Sequence, residues 1–428
     1  MIKKIIAKGV LNEFDYEIDY WTPIDSKTET EDSVVKVIYA ENGCGKTNLL
    51  KSISILLNCP IPENRSMIMY ARALLQIPIR ILQIEFDEGD KVVYNKEDAF
   101  DDHCSFGIGS TIVQLEAESL RAIRFSKRKA ELLTVCEQLK ERTSGIVYLG
   151  ADRLSGGKDF DGAYDDDVMV THGMRGRVDY HDAVEERLNE LGYILARETA
   201  AVLSNETDDV YLKIIKNSVK NGLGKNDARD KIIEDIDEVL KKGSPLEKYG
   251  LIKLDQVNKI KEEITGELSE SLPLEFLYPI LDPYFARLIK QINAMDVTYQ
   301  SISSFVNSIN QLFSRKMINY STKRGFSIAG SKMAPLKASD LSSGERQLLL
   351  ILVTSLLASR RERFVIIDEP ELSLGLEWQR RLIDVLRGCT RGSGTQFLLA
   401  SHSLSIITRI NETDLVEVVD TNLTVVSR

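Results

Sequence analysis

Hydrophobic and polar positions change period several times along the chain, and each change marks an element. Val34 to Tyr39 is a short apolar, β-branched run, the pattern of a buried strand. After Thr47 the period becomes helical: Leu49, Leu50, Ile53, Leu56 and Leu57 share one face, and Asn58-Cys59-Pro60 stops the helix. Residues 1–20 and the segment 80–98, with a hairpin about Glu88-Gly89-Asp90, predict an antiparallel sheet beside that strand and helix. Gly145 to Gly150 predicts another strand. From about Asp179 the pattern turns helical. Val184, Leu188, Leu191, Leu195 and Val202 keep 4-3 spacing with Glu198 in the remaining slot. Ile232, Ile236, Val239 and Leu240 mark a second helix, and Leu254, Val257, Ile260 and Ile264 a third. Further on, LLLILVTSLLA after Gln347 is an apolar helix. Phe364 to Ile367 and Gln396 to Ala400 read as strands buried on both faces, as in a parallel sheet. Leu415 to Val419 and Leu423 to Val426 complete the strands.

The predicted fold is α/β: a head of mixed sheet and helices with a flanking antiparallel sheet, interrupted by a helical insert. The head occupies 1–150 and 301–428, and a loop and helical insert occupy 151–300. Residues 155–177 are rich in glycine and aspartate and read as a loop. The acidic run Asp165 to Asp167 is better explained by solvated loop than by a metal site.

Composition narrows the classes. A chain of 428 residues with 43% hydrophobic and 28% charged residues has room for more than one core and is ordinary for a globular protein. The sequence holds no uncharged apolar run long enough for a membrane span, and its first residues lack the form of a signal peptide. The five cysteines (Cys44, Cys59, Cys104, Cys136, Cys389) form no CxxC pair, so free thiols in a reducing cytoplasm are expected. A net charge of −10 argues against a surface coated for nucleic acid. Two local basic clusters remain, Arg121, Arg124, Lys127, Arg128 and Lys129, and Arg315, Lys316, Lys323 and Arg324; solvated surface is the ordinary reading of both.

Chemistry enters between the first buried strand and its helix, at Ala40-Glu41-Asn42-Gly43-Cys44-Gly45-Lys46-Thr47. Glycines let backbone N–H groups turn inward, and a helix N-terminus adds partial positive charge where phosphates lie. Lys46 can reach the β and γ phosphates of ATP, and the Thr47 hydroxyl can ligate Mg²⁺. Downstream, Leu341-Ser342-Ser343-Gly344-Glu345-Arg346-Gln347 opens the apolar helix. Ser342 and Glu345 have capping-box spacing, which makes a second capped N-terminus beside a glycine. Asp368 and Glu369 follow the strand from Phe364, at the end where open α/β sheets bind ligands. Asp368 suits Mg²⁺ and Glu369 suits a general base for water. His402 follows the strand from Gln396 and suits a sensor of the γ-phosphate.

In this order the segments AENGCGKT, LSSGERQ, FVIIDEP with ELSL, and SHS resemble the ABC ATPase superfamily: its phosphate loop, signature, acidic strand, D-loop and switch histidine. The serine-for-glycine, glutamate-for-glutamine signature and the ELSL resemble the branch holding structural maintenance of chromosomes proteins, RecF, OLD-type ATPases and prokaryotic defence ATPases. The resemblance implies MgATP hydrolysis and a head-to-head homodimer or higher homo-oligomer. In it Ser342, Ser343 and Gly344, with Glu345 behind them, close over a partner's nucleotide, and Ser373 lies at the seam. It also implies a sensor ATPase of a Septu or PARIS kind of anti-phage system, acting with a separate effector nuclease and with DNA as a further candidate partner. The runner-up role is a RecF-like repair ATPase. Departures are Ala40 for the first glycine and no glutamine in the Q-loop context, since Gln76, Gln83 and Gln114 stand elsewhere in the pattern. Asp152 and Arg153 occupy the expected lobe connection.

Overall fold

The computed structural model describes residues 1–20, 33–59, 64–118, 127–142, 146–151, 180–204, 225–266, 274–330, 332, 334–361 and 364–421. These fall into two compact units, Met1–Val184 with Ala338–Arg428, and Glu185–Lys337.

The first unit is built on two sheets. One is seven-stranded and antiparallel among strands whose sequences alternate. β1 (Ile2–Val10) pairs with β2 (Phe14–Asp19) and with β4 (Ile79–Phe86). β5 (Lys91–Asn95), β6 (His103–Ile108) and β7 (Thr111–Glu116) extend it in sequence order, and β15 (Val418–Asp420) closes the other edge beside β2. The hairpin of β4 and β5 turns at Glu88-Gly89-Asp90, where Gly89 takes a φ of 89° that a side chain would resist.

The other sheet is parallel and five-stranded. β3 (Val34–Tyr39) lies between β14 (Leu415–Val416) and β13 (Gln396–Ser401); beyond β13 come β12 (Phe364–Asp368) and β8 (Val147–Leu149). β12 and β13 are buried at every position, because helices cover both faces. On one side lies α1 (Lys46–Leu57), which packs against β8, β12 and β13 and also against β1 and β4 of the antiparallel sheet. Leu49, Leu50, Ile53 and Leu56 of α1 are fully buried in a core shared with Ile5, Leu82, Ile366 and Leu398. One amphipathic helix thus seals both sheets, and about 1.5–3 kcal/mol per buried leucine or isoleucine favours that arrangement. α2 (Asn64–Leu75) and α3 (Lys127–Arg142) cover the antiparallel sheet.

α4 (Tyr180–Ser204) opens the second unit, followed by α5 (Lys225–Glu247), α6 (Asp255–Thr265), α7 (Leu274–Ala294) and α8 (Asp296–Leu312). Val184, Leu188, Leu191 and Leu195 of α4 are buried, as their 4-3 spacing predicts, and so are Ile232, Ile236 and Val239 of α5. α5 pairs with α7, and α8 lies on a hairpin of β9 (Lys316–Ser321) and β10 (Gly325–Gly330), edged by β11 (Pro335–Leu336). Tyr249, Tyr299, Phe305, Tyr320 and Phe326 form its aromatic centre, with ring centroids 4.7–6.5 Å apart.

Back in the first unit, α9 (Ser343–Arg361) is apolar nearly all round: Leu348 through Val353 are all buried. It packs on β8, β12 and α10 (Leu376–Cys389), and α10 in turn packs on β3 and the short α11 (Leu404–Ile407).

Candidate functional site

The parallel register brings the chemistry together. Ser401 lies beside Tyr39, Ala400 beside Ile38, and Asp368 beside Ala400. The carboxyl ends of β3, β13 and β12 are therefore neighbours. From them leave, in that spatial order, the phosphate loop, His402 and Glu369. β3 and β12 are two strand spacings apart, about 10 Å, which is a span suited to a phosphate chain with a metal ion at one end.

The loop Ala40 to Gly45 turns on two glycines with positive φ, Gly43 at 95° and Gly45 at 75°. At Gly45 a Cβ would come within 2.7 Å of Val10 Cγ1, so only glycine fits. Gly45 is also the N-cap of α1, and a glycine offers no side-chain cap; the first turn carries no acidic residue either. The positive end of α1 is thus left for an outside anion. Lys46 is buried, and its Nζ donates to the carbonyls of Ala40 (2.6 Å) and Glu41 (2.8 Å), folded over the loop it would share with phosphate oxygens. Thr47 follows as the next residue of α1. The loop is held from outside by Tyr16 on β2, whose hydroxyl donates to the Cys44 carbonyl. Burial first, and then the Cys44 thiol, push the Tyr16 phenol above its ordinary range, which keeps it a donor.

Asp368 ends β12 fully buried, with Tyr148 Oη 3.5 Å from its Oδ2. Glu369 then breaks the strand at a φ of 45°, rare for a side-chain-bearing residue, while its N–H still donates to Ala400 across the ladder (2.9 Å). The reversal swings Glu369 to a half-buried position beside His402, with His402 Nδ1 4.0 Å from Glu369 Oε1. A second glutamate, Glu371, turns inward instead. It is 5% exposed, and its Oε1 accepts from Ser401 Oγ (2.7 Å) and the His402 N–H (2.8 Å) and lies 3.2 Å from His402 Nδ1. The sequence reading does not single out Glu371; its signal is a carboxylate three residues past Asp368 in a segment otherwise apolar or capping.

At the signature, Ser342 and Glu345 form the expected capping box. The Ser342 N–H donates to Glu345 Oε2 (2.7 Å), and the Glu345 N–H donates to Ser342 Oγ (3.3 Å). Ser342 and Ser343 are exposed; Gly344 is buried. A Cβ on Gly344 would lie 2.5 Å from the Ser373 carbonyl, so this glycine is required within the chain by the turn that carries Ser373, itself at a φ of 60°. Substituting Gly344 therefore perturbs the single chain as well as any seam, and exposed Ser343 is the cleaner probe of contacts in trans.

Other candidates fall elsewhere. Gln83 sits on β4 with its amide on Glu85, and Gln114 on β7 of the same sheet, both in the flanking sheet rather than at the ends of the parallel strands. The second basic cluster is not one in space. Lys316 starts β9 opposite Gly330, whereas Lys323 and Arg324 cap the hairpin's other end, roughly 15–20 Å away at about 3.3 Å per residue. Asp165 to Asp167, Asp152 and Arg153, Arg121 and Arg124, and the strand at Leu423 to Val426 lie outside the described residues. Among the described residues no group of three or more His, Cys, Asp and Glu could hold a metal ion. Thr47 and Asp368 fit a different donor set: one hydroxyl and one buried carboxylate, which leave the remaining positions of a hard cation to phosphate oxygens and water. All five cysteines are free thiols, and no helix among the described residues is long and apolar enough to cross a membrane.

A family described as "AAA domain, putative AbiEii toxin, Type IV TA system" matches residues 37–408, from within β3 to just past α11. No curated protein matches the chain. Among solved structures, it is similar to the Smc head domain with an extended coiled coil bound to the C-terminal domain of ScpA from Pyrococcus furiosus. That match has 14% identity and a TM-score of 0.38 and covers 100% of this chain and 97% of that one. It is similar also to the SmcHead bound to the C-winged helix domain of ScpA, with 12% identity, a TM-score of 0.38 and 99% of each chain covered.

Proposed function

Since the chain belongs to this AAA-domain family, we propose that it binds and hydrolyses MgATP at the carboxyl ends of β3, β13 and β12. The observation that carries the reading is the adjacency of three strand ends bearing a glycine loop with Lys46, a histidine, and paired carboxylates. Backbone N–H groups from Gly43 to Thr47 receive the phosphates, and Lys46 exchanges the Ala40 and Glu41 carbonyls for β and γ oxygens. Thr47 and Asp368 would hold Mg²⁺, which would supply charge neutralisation on the phosphates. Glu369 takes a proton from the attacking water as it adds to the γ-phosphorus; the bond to the β-γ bridging oxygen breaks, leaving ADP and inorganic phosphate. His402, beside Glu369, stands at the γ end of the site.

Ser342, Ser343, Gly344 and Glu345 lie on a capped, partly exposed helix start that suits closure over a second copy's nucleotide, so the working form is a homodimer or higher homo-oligomer. The finer role is that of the cytoplasmic sensor ATPase of an anti-phage complex, controlling a separate effector nuclease. The two carboxylates given metal and catalytic roles, Asp368 and Glu369, are both used on ATP, and the helical second unit offers surface for a partner.

The purified full chain with MgATP should release phosphate, and light scattering should show association that grows when hydrolysis is blocked. It should leave plasmid and linear DNA intact with Mg²⁺ or Mn²⁺, and a pull-down from its native host should recover a stoichiometric smaller protein. Calorimetry showing no nucleotide binding would end the ATPase reading. DNA cleavage by the pure chain would end the division of labour with a separate nuclease.

A further inference from the structure

The turn between β1 and β2 is strained, and it is strained next to the phosphate loop. Leu11 and Asn12 both take a left-handed backbone, with φ of 54° and 64°. Asparagine tolerates that region; leucine resists it, because its Cβ crowds the backbone carbonyl. A hairpin that needed only to reverse would carry glycine or asparagine there. A leucine stays in such a conformation only when its surroundings over-determine it. Here they do. The Leu11 N–H donates to the Pro78 carbonyl (2.9 Å), and the N–H groups of Asn12 and Glu13 close the turn on the carbonyls of Gly9 (3.1 Å) and Val10 (3.0 Å). The Asn12 side chain is used at both ends: Nδ2 donates to Asp98 Oδ2 (2.9 Å), and Oδ1 accepts from the Ala99 N–H (3.0 Å). The Glu13 carbonyl accepts from both the N–H (3.0 Å) and the hydroxyl (2.7 Å) of Thr421. Segments at 78, 98–99 and 421 thus fasten one short turn.

What the turn presents is apolar and lies against Gly45. A Cβ on Gly45 would come within 2.7 Å of Val10 Cγ1 and 3.4 Å of Leu11 Cδ1. Val10 is fully buried, and Leu11 is partly buried against the same core. Gly45 has a φ of 75° and is the N-cap of α1, so its backbone sets the direction in which the N–H groups after it point. The bonds from Lys46 Nζ to the Ala40 and Glu41 carbonyls are the ones a phosphate would displace. The contact of Val10 and Leu11 with Gly45 involves no group that a phosphate would take.

We propose, resting on the ATPase reading, that Leu11 and Asn12 are positioning residues for the phosphate loop. Asn12 anchors the turn to the segment that follows β5. Leu11, beside Val10, bears on Gly45 and keeps the loop in its phosphate-receiving form before a nucleotide arrives. Both act through Gly45. Their effect is preorganisation, which sets affinity and leaves the hydrolytic step alone. A leucine strained for the sake of a contact also makes a distinctive prediction: relieving the strain separates affinity from stability.

Variants of the full-length chain provide the test. L11G removes the wedge and suits the backbone, since glycine takes a φ of 54° freely. It should raise the Kd for ATP, read by calorimetry, roughly 5- to 10-fold without lowering the melting temperature. Its kcat at saturating ATP should stay within about twofold of the wild type. L11M keeps an apolar side chain of similar reach and should bind like the wild type. N12A should raise the Kd by a similar factor, with kcat again kept. Amide exchange across residues 43–47, measured without nucleotide, should quicken in L11G and N12A and stay unchanged in L11M. An unchanged Kd in L11G overturns the proposal, as does unchanged exchange. So does a loss of affinity that comes only with a matching fall in melting temperature and kcat, the mark of a purely structural turn. If N12A does not fold, L11G and L11M decide alone. A wild-type chain that binds no nucleotide removes the ATPase reading, and the exchange comparison then decides by itself whether the turn holds the loop.

Discussion

The two sheets of the first unit differ in the way they are covered, and the difference decides where chemistry can sit. Strands of the parallel sheet are enclosed by α1 on one face and by α9 and α10 on the other, and β12 and β13 are buried from end to end. No polar group can work in the middle of such a strand without a partner. Function is pushed to the carboxyl ends, where the chain turns out at Ala40, Glu369 and His402. Antiparallel strands alternate instead, as in the burial of every second residue of β5, and give up one face to solvent. Their contacts with the site described above are a hydrogen bond from Tyr16 to the Cys44 carbonyl and the packing of Val10 against Gly45. One sheet bears the groups proposed to react, and the other steadies a loop.

Substitutions should respect that division. Lys46→Ala, at the end of the parallel sheet, should have the largest effect. Removing the only side-chain charge of the loop placed on the phosphates should lower ATP affinity by about 100-fold or more; unchanged binding in calorimetry would remove the basis of the comparison. Glu369→Gln comes next. ATP should still bind, turnover should fall roughly 10²- to 10⁴-fold, and the associated form should persist. Wild-type phosphate release would clear Glu369 and turn suspicion on Asp368. Third is Asp414→Ala, inside the parallel sheet's covering but away from its active ends. Asp414 pairs with Lys36 on β3 (3.2 Å) and with Arg387 (3.0 Å), and Lys36 is only 5% exposed at its side chain. Leaving that ammonium without its carboxylate should cost about 3 kcal/mol of stability, read as an earlier denaturant midpoint, and the fold should suffer more than the ratio of kcat to KM. The smallest effect belongs to the antiparallel sheet. Tyr16→Phe removes one hydrogen bond and should cost about 1 kcal/mol and only a few-fold in ATP affinity. A loss as large as that of Lys46→Ala would mean that the flanking sheet shapes the loop rather than steadying it.

Much of this first unit is legible in the chain. The change from a continuous apolar run to a 3.6 period across Tyr39 to Leu49 is sharp, because a strand buried on both faces and an amphipathic helix demand different spacings. The capping box at Ser342 and Glu345 is a local code and forms as read. Long-range relations are not legible. Nothing in Asp368-Glu369-Pro370-Glu371 tells which glutamate turns out to solvent and which is buried against His402; that depends on a positive φ at Glu369 and on Ser401, thirty positions away on another strand. Tyr16 is equally silent, since its partner is a backbone carbonyl. In the second unit α4, α5 and α6 follow their apolar spacing, but α7 hides behind Pro279 and Pro283, residues that argue against a helix interior. The β9–β10 hairpin turns at Thr322-Lys323-Arg324 and lacks the Asn-Gly or Asp-Gly signal of a two-residue turn. Its lysine and arginine read as a charge cluster instead.

The placement of β3 has a consequence for synthesis. Its neighbours in the sheet are β13 and β14, both encoded after residue 395, whereas β3 itself ends at Tyr39. While the ribosome works through everything between, at about 5–20 residues per second, the phosphate-loop strand waits from roughly twenty seconds to more than a minute without either partner. An apolar, β-branched strand held unpaired that long is what chaperones shelter, and the loop it carries has only the antiparallel sheet, through Tyr16 and Val10, to steady it. A nascent or truncated chain stopping short of residue 396 would therefore be unable to seat a nucleotide however intact its glycine loop. Competence to bind becomes a check that translation has passed β13.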